Sequence, residues 1–366
     1  MPKIFVHAGF HKTATTSFQE FCIRHRAALH RQGLHYARVD FQGVQDRPNH
    51  SYAFRMAYNA AAAGDHRLRE SLVRELRRQL ESCDRMLISG EVISILPDPS
   101  KALLLRDLRG LAGELCFILL VRHPRAYFQS VLQEHLKAWT SANIFDLPDE
   151  ALATLADHEW GSLYTKRLAF FRAHLNDEEL LVRKYEDASR APGGAVGFLV
   201  EDCLGLHFPA TEYGSSRRAN AAFPHEKLLL ICALKSLRAR TGADDAAVKR
   251  LFGVVSQAAP RSACGQAFAA TLAHRLPPIG PQLAWLEANF GIHYALDDVA
   301  FEQVDPAALW SPDYIEALLD FARRQLDAAS RELLAAALDF LARRPESGPA
   351  HAPALVAASR RLRAAG

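Results

Sequence analysis

Seven consecutive apolar residues, Leu115-Cys-Phe-Ile-Leu-Leu-Val121, run into Arg122-His123-Pro124-Arg125. A run this apolar and this short fits a strand covered on both faces, because a buried helix needs roughly ten residues or more. Pro124 suits the first turn of a helix, where its missing N–H costs nothing. The segment therefore reads as a central parallel strand entering a long helix. Three other segments repeat the pattern: Ile4-Phe5-Val6 before Gly9, Met86–Ser89 before Gly90-Glu91, and Glu179–Val182 before Lys184-Tyr185. Between them lie stretches with helical patterning, near 14–32, 50–62, 65–82, 100–112 and 161–175. Strand and helix in alternation predict an α/β fold, a central, mostly parallel sheet flanked by helices. With 366 residues, 49% of them hydrophobic, the chain can bury a core of that size. We expect one α/β domain over 1–300 and a helical C-terminal extension over 301–366, rich in Ala, Leu and Arg.

Ligands in such sheets collect at the carboxyl ends of the strands. Three of the expected strands end in groups with chemistry to offer: His11-Lys12, Glu91 and Arg122. The first is the richest. After Gly9 the chain turns through Lys12 and opens a helix on Thr13, Ala14, Thr15, Thr16 and Ser17. Free backbone amides, the positive end of the helix dipole, a lysine and several hydroxyls together suit a phosphate. Alanine is the best helix former, so Ala14 is expected to be helical. The loop does not follow G-x-x-x-x-G-K-[ST]: Lys12 comes three residues after Gly9, with no glycine before it. Arg122 is the second anion candidate, a permanent charge that forks onto two oxygens, with Ser130 eight residues on.

The core Lys12-Thr13-Ala14-Thr15-Thr16 resembles the 5′-phosphosulfate loop of sulfotransferases that use 3′-phosphoadenosine 5′-phosphosulfate (PAPS), with Ala14 where that family usually has glycine. The Arg122…Ser130 pair resembles the family's 3′-phosphate element. Tyr185-Glu186-Asp187 resembles the family's Tyr-Glu-Asp, in which the tyrosine lies near the adenine. Ser215–Asn220, with Arg217 and Arg218, resembles a late basic loop over the nucleotide. The likeness spans roughly residues 3–225. It implies a P-loop NTPase-like sulfotransferase fold, PAPS as co-substrate and no metal. It implies that His11 to Thr16, Arg122, Ser130, Tyr185 and one of Arg217 and Arg218 hold the nucleotide. It also implies that Lys12 stabilises the leaving phosphate and that Glu91 takes the acceptor proton. Some branches of the family use a histidine instead, which keeps His7, His11, His50, His123 and His135 in view, His50 and His135 foremost. Glu186 and Asp187 are expected to cap the following helix.

A net charge of +3 and a pI near 8.5 suit anionic ligands and give no footprint for nucleic acid. The six cysteines are scattered without a C-x-x-C pair and read as reduced, mostly buried thiols. No stretch approaches the ~18–20 apolar residues of a membrane span, and the chain enters a strand at once. These features predict a cytoplasmic protein, and the Ala and Arg usage predicts a bacterial one. The acceptor is expected to be a small molecule or a carbohydrate, in a pocket shaped by 36–60 and 138–162 with Tyr36, Phe41, Tyr52, Trp139, Phe145 and Trp160. The arginines at 67, 69, 74, 77 and 78 read as a solvated helix face. Two rival readings are a nucleotide kinase or NTPase, and a sulfotransferase-like binding module without activity. Against the first, Arg122 stands where a magnesium-binding Asp is expected.

Overall fold

The computed structural model describes residues 2–10, 12–39, 47–137, 163–213, 225–241, 245–258, 278–299, 309–344 and 349–364. Five strands form one sheet: β1 (Lys3–His7), β2 (His35–Tyr36), β3 (Arg85–Ser89), β4 (Glu114–Val121) and β5 (Leu180–Lys184). Their order is β2-β3-β1-β4-β5, and every pairing is parallel. The expected α/β class with a central parallel sheet is the one the chain adopts. Around the strands run α1 (Thr15–Arg24), α2 (Arg26–Arg31), α3 (Ser51–Ala62), α4 (Arg67–Leu80), α5 (Asp98–Leu111), α7 (Leu163–His174) and α8 (Tyr185–Arg190), and α6 (Pro124–Lys137) follows β4 in the chain.

By its internal contacts the chain divides into two units. The first comprises Met1–His123, Ser162–Ala219 and Gly280–Leu296 and holds the sheet. The second comprises Pro124–Gly161, Asn220–Ile279 and Asp297–Gly366, and its described residues form helices. In the first unit, side chains alternate across the pleat. Phe5, Leu87, Cys116, Ile118 and Leu120 share one core with Phe18, Phe21 and Cys22 of α1 and with Leu199 and Tyr213. On the opposite face Phe117 meets Phe171 of α7 at 5.2 Å between ring centres. In the second unit, Ser311 Oγ accepts from the Tyr314 N–H at 3.2 Å and caps Pro312–Gln325. Asp327 caps Ala328–Leu341 the same way, and Ala352–Ala364 follows.

Four local expectations need correction. The single helix expected over 14–32 is broken at His25, whose ring is held at 4.4 Å from Phe21 and 5.4 Å from Phe208. No strand is expected between the helical stretches near 14–32 and 50–62, yet β2 lies there and pairs His35 with Met86 and Tyr36 with Leu87. Arg69 is not solvated. It forks onto Asp107 with two bonds of 2.7 Å, Tyr58 Oη adds a third at 3.1 Å, and α3, α4 and α5 are tied together. Ala14 is not helical, as described below. Among the described residues Cys22, Cys116 and Cys232 are buried, Cys83 and Cys203 are half-buried, and all five are free thiols. No helix among the described residues is long and apolar enough to cross a membrane.

Candidate functional site

The sheet order puts β3 on one side of β1 and β4 on the other. Between β1 and β4 the connections change direction, which is where open α/β sheets form a crevice at their carboxyl edge. His7 ends β1 level with Ser89 of β3 and Ile118 of β4. The ladder closes with Gly90 N–H donating to His7 O at 3.0 Å and Ala8 N–H to Ile118 O at 3.1 Å. The loop that carries Lys12 thus leaves the sheet beside Gly90-Glu91, and Arg122 follows β4 on the other side.

That loop is wound tightly. Lys12 and Ala14 both have left-handed backbones, at φ 66° and 63°. Ala14 is the N-cap of α1, not its first residue, and the first helical bond is Phe18 N–H to Ala14 O at 3.0 Å. The conformation that glycine would adopt freely is imposed on alanine, at a cost of about 1–2 kcal/mol. The amides of Thr15, Thr16 and Ser17 stand ahead of that first bond, as the opening donors of a helix do. Two hydroxyls face inward: Thr13 and Thr15, both buried, donate to Phe10 O at 2.6 and 3.3 Å. They shape the loop, and Thr16 remains as an exposed hydroxyl at its rim. Gly9 has no room for a side chain. A Cβ there would lie 2.8 Å from both His7 Nε2 and Thr15 Oγ1. His11 lies outside the described residues.

Beneath the loop is a buried polar floor. His7 Nδ1 lies 2.9 Å from Ser89 Oγ, which also accepts from Gln19 Nε2 at 3.1 Å. Burial pushes the His7 pKa down to about 3, so the ring is neutral. His50 accepts from the Ser89 N–H through Nδ1 at 3.1 Å and stacks on Tyr36. Its neutral form therefore carries the proton on Nε2, which offers no lone pair to an acceptor hydroxyl. His123 donates from Nε2 to the Ala295 carbonyl at 3.1 Å and is fully buried. Glu91 is half-buried and opens a tight turn, Glu91–Ile95. The turn is pinned by Ser94 Oγ donating to Glu91 O at 2.9 Å and by Val92 N–H donating to Ser51 Oγ at 3.1 Å.

Arg122 and Tyr185 meet at the ends of neighbouring strands, where Val121 pairs with Lys184. The guanidinium carbon lies 5.2 Å from the Tyr185 ring centre, within cation–π range. Among the described residues no carboxylate lies within ion-pair distance of Arg122. Its backbone is held by the buried Tyr164, which accepts from Arg122 N–H at 3.0 Å and donates to Arg122 O. Glu186 does not cap α8. The N-cap is Lys184, without a side-chain bond, and Glu186 turns back to accept from the His123 N–H at 3.0 Å. Asp187 is exposed beside Arg190 at 3.6 Å. Ser130 lies on α6, in the second unit. The His135 side chain, Arg217 and Arg218 lie outside the described residues, as do Phe41 and the stretch 138–162.

No family model matches the chain, and no curated protein matches it. Among solved structures, a sulfotransferase domain from the curacin biosynthetic pathway matches at 15% identity, covering 76% of this chain and 99% of that one, with a TM-score of 0.33. A likeness this distant says nothing of substrate or reaction.

Tyr164 and Tyr294 are the site residues that sequence reasoning missed. Each acts on a strand end far away in the chain, and no local pattern marks them. Among the described residues no group of three or more His, Cys, Asp or Glu is arranged to hold a metal ion.

Proposed function

We propose that this protein is a sulfotransferase that moves the sulfuryl group of PAPS to a hydroxyl, or an amine, of a small-molecule or carbohydrate acceptor. One observation carries the reading: a cationic loop at a helix start, a half-buried carboxylate and an arginine with no carboxylate partner among the described residues follow β1, β3 and β4 at one sheet edge. A doubly phosphorylated nucleotide needs two separate anion sites. The loop supplies one and Arg122, 5.2 Å from the Tyr185 ring centre, supplies the other.

In this reading the amides of Thr15 and Thr16 and the Thr16 hydroxyl hold the 5′-phosphate. Arg122 holds the 3′-phosphate with Ser130, and Tyr185 contacts the adenine. His11, Thr13 and Ala14 complete the loop, and Arg217 or Arg218 closes over the nucleotide. The acceptor oxygen attacks sulfur as Glu91 removes its proton, with His135 the alternative base. A new S–O bond forms and the bond to the bridging oxygen breaks. The electron pair leaves on the 5′-phosphate, where Lys12 stabilises it.

Calorimetric titration with adenosine 3′,5′-bisphosphate, beside ADP and magnesium–ATP, tests the donor site. Micromolar binding of the bisphosphate without metal, lost in Arg122→Ala, is the expected result. Tight magnesium–ATP binding with no response to the bisphosphate would overturn the reading in favour of a kinase.

A further inference from the structure

Tyr294 belongs to the first unit, 173 positions beyond Val121 in the chain. Its hydroxyl is 3.0 Å from Val121 O and 2.7 Å from Glu186 Oε2. The other Glu186 oxygen accepts from the His123 N–H at 3.0 Å. The His123 ring stands edge-on to the Tyr294 ring, 5.4 Å between centres, and donates to the carbonyl of the next residue, Ala295, at 3.1 Å. The Lys184 ammonium lies 4.7 Å from the centre of the Tyr294 ring. Tyr294 thus reaches Val121 and His123, the chain neighbours of Arg122, and Lys184 and Glu186, the chain neighbours of Tyr185.

We infer that Tyr294 is a positioning residue for the Arg122–Tyr185 pair. It fixes the spacing of guanidinium and ring, and so the discrimination of adenosines that carry a 3′-phosphate from those that do not. The inference rests on the donor-site reading above. Its physical basis is that a forked guanidinium recognises phosphate only when held within a fraction of an ångström and a few degrees, and side chains do not hold themselves that well. Tyr294 is buried, with its hydroxyl committed to a backbone carbonyl and a carboxylate. Glu186 extends that hold to the backbone on the other side of Arg122. The array binds the two strand ends to each other.

The test is the ratio of affinities for adenosine 3′,5′-bisphosphate and 5′-AMP, measured on the full chain by calorimetry, with a melting curve for each variant. Tyr294→Phe and Glu186→Ala should lower the ratio about tenfold while leaving 5′-AMP affinity within about twofold of the original. Glu186→Gln should keep the ratio. Its carbonyl can accept from the His123 N–H and its amide can donate to Tyr294, whose proton then serves Val121 O. A merely structural role would weaken both nucleotides alike. A wild-type preference that survives Tyr294→Phe overturns the assignment and leaves the donor-site reading standing. A wild-type protein with no preference overturns both. If Tyr294→Phe does not fold, Glu186→Ala set against Glu186→Gln decides by the same ratio.

Discussion

The Tyr164 hydroxyl holds Arg122 by both backbone groups, accepting from its N–H at 3.0 Å and donating to its carbonyl. Arg122 has just left β4, so these groups have no ladder partner to fall back on. Tyr164→Phe leaves two such groups unpaired beside a fully buried ring. We expect a loss of about 2–3 kcal/mol in urea denaturation. An unchanged midpoint would mean that the strand end finds other partners without cost.

Ala14 gives a prediction of the opposite sign. At φ 63° its Cβ strains the backbone, and glycine relieves that strain. Gly also loosens the unfolded chain, which offsets part of the gain. Ala14→Gly should therefore stabilise the protein by about 0.5–1 kcal/mol. Ala14→Val, β-branched at the same position, should destabilise it. Thermal denaturation of the pair checks both directions, and a destabilised glycine variant would contradict the strain argument.

Acid should weaken the fold through its buried histidines. Burial lowers His7 from 6.5 to about 3, and His225 from 6.5 to about 4. In the unfolded chain both recover ordinary values. Below about pH 6.5 the unfolded state therefore binds protons that the folded state refuses, and stability falls as pH drops, levelling once the folded-state values are passed. Each group contributes up to about 1.4 kcal/mol per pH unit in that window. His7→Asn should make the slope of stability against pH shallower between pH 6 and 4. Parallel slopes for the variant and the original would rule out His7 as a source.

Glu91 carries the chemical step in the proposed reaction. Glu91→Gln keeps the side-chain size but cannot take a proton. Transfer of labelled sulfuryl from PAPS to an acceptor found by screening phenols and sugars should slow by about 10²–10⁴. Affinity for the bisphosphate should be unchanged. Full activity in Glu91→Gln would move the role to another group, His135 first.

Much of the sheet was legible because β1, β3, β4 and β5 are short apolar runs ended by Gly or by charge, and that signature is local. β2 was not, since two residues, His35 and Tyr36, carry no periodicity. Ala14 misled because intrinsic propensity favours a helix, whereas the turn from Phe10, closed by the Thr13 and Thr15 hydroxyls, imposes a left-handed residue there. Arg122 and Tyr185 could be read from their neighbours in sequence, and the structure brings them into contact. The residues that hold them could not. Tyr164 and Tyr294 act 42 and 173 positions away, and a buried tyrosine in a helix or a loop looks like any other. Glu186 looked like a cap because a carboxylate at a helix start usually is one.

The distance between Val121 and Tyr294 also sets a schedule. A ribosome adds roughly 5–20 residues per second, so on the order of ten to thirty-five seconds separate the synthesis of the strand end from that of its latch. For that interval the nascent sheet carries its first four strand-forming segments, and soon its fifth, with the β4 terminus still unfastened. The Arg122–Tyr185 end of the sheet is thus among the last parts of the first unit to mature, and a chain halted before residue 294 would hold a sheet with that edge unfinished.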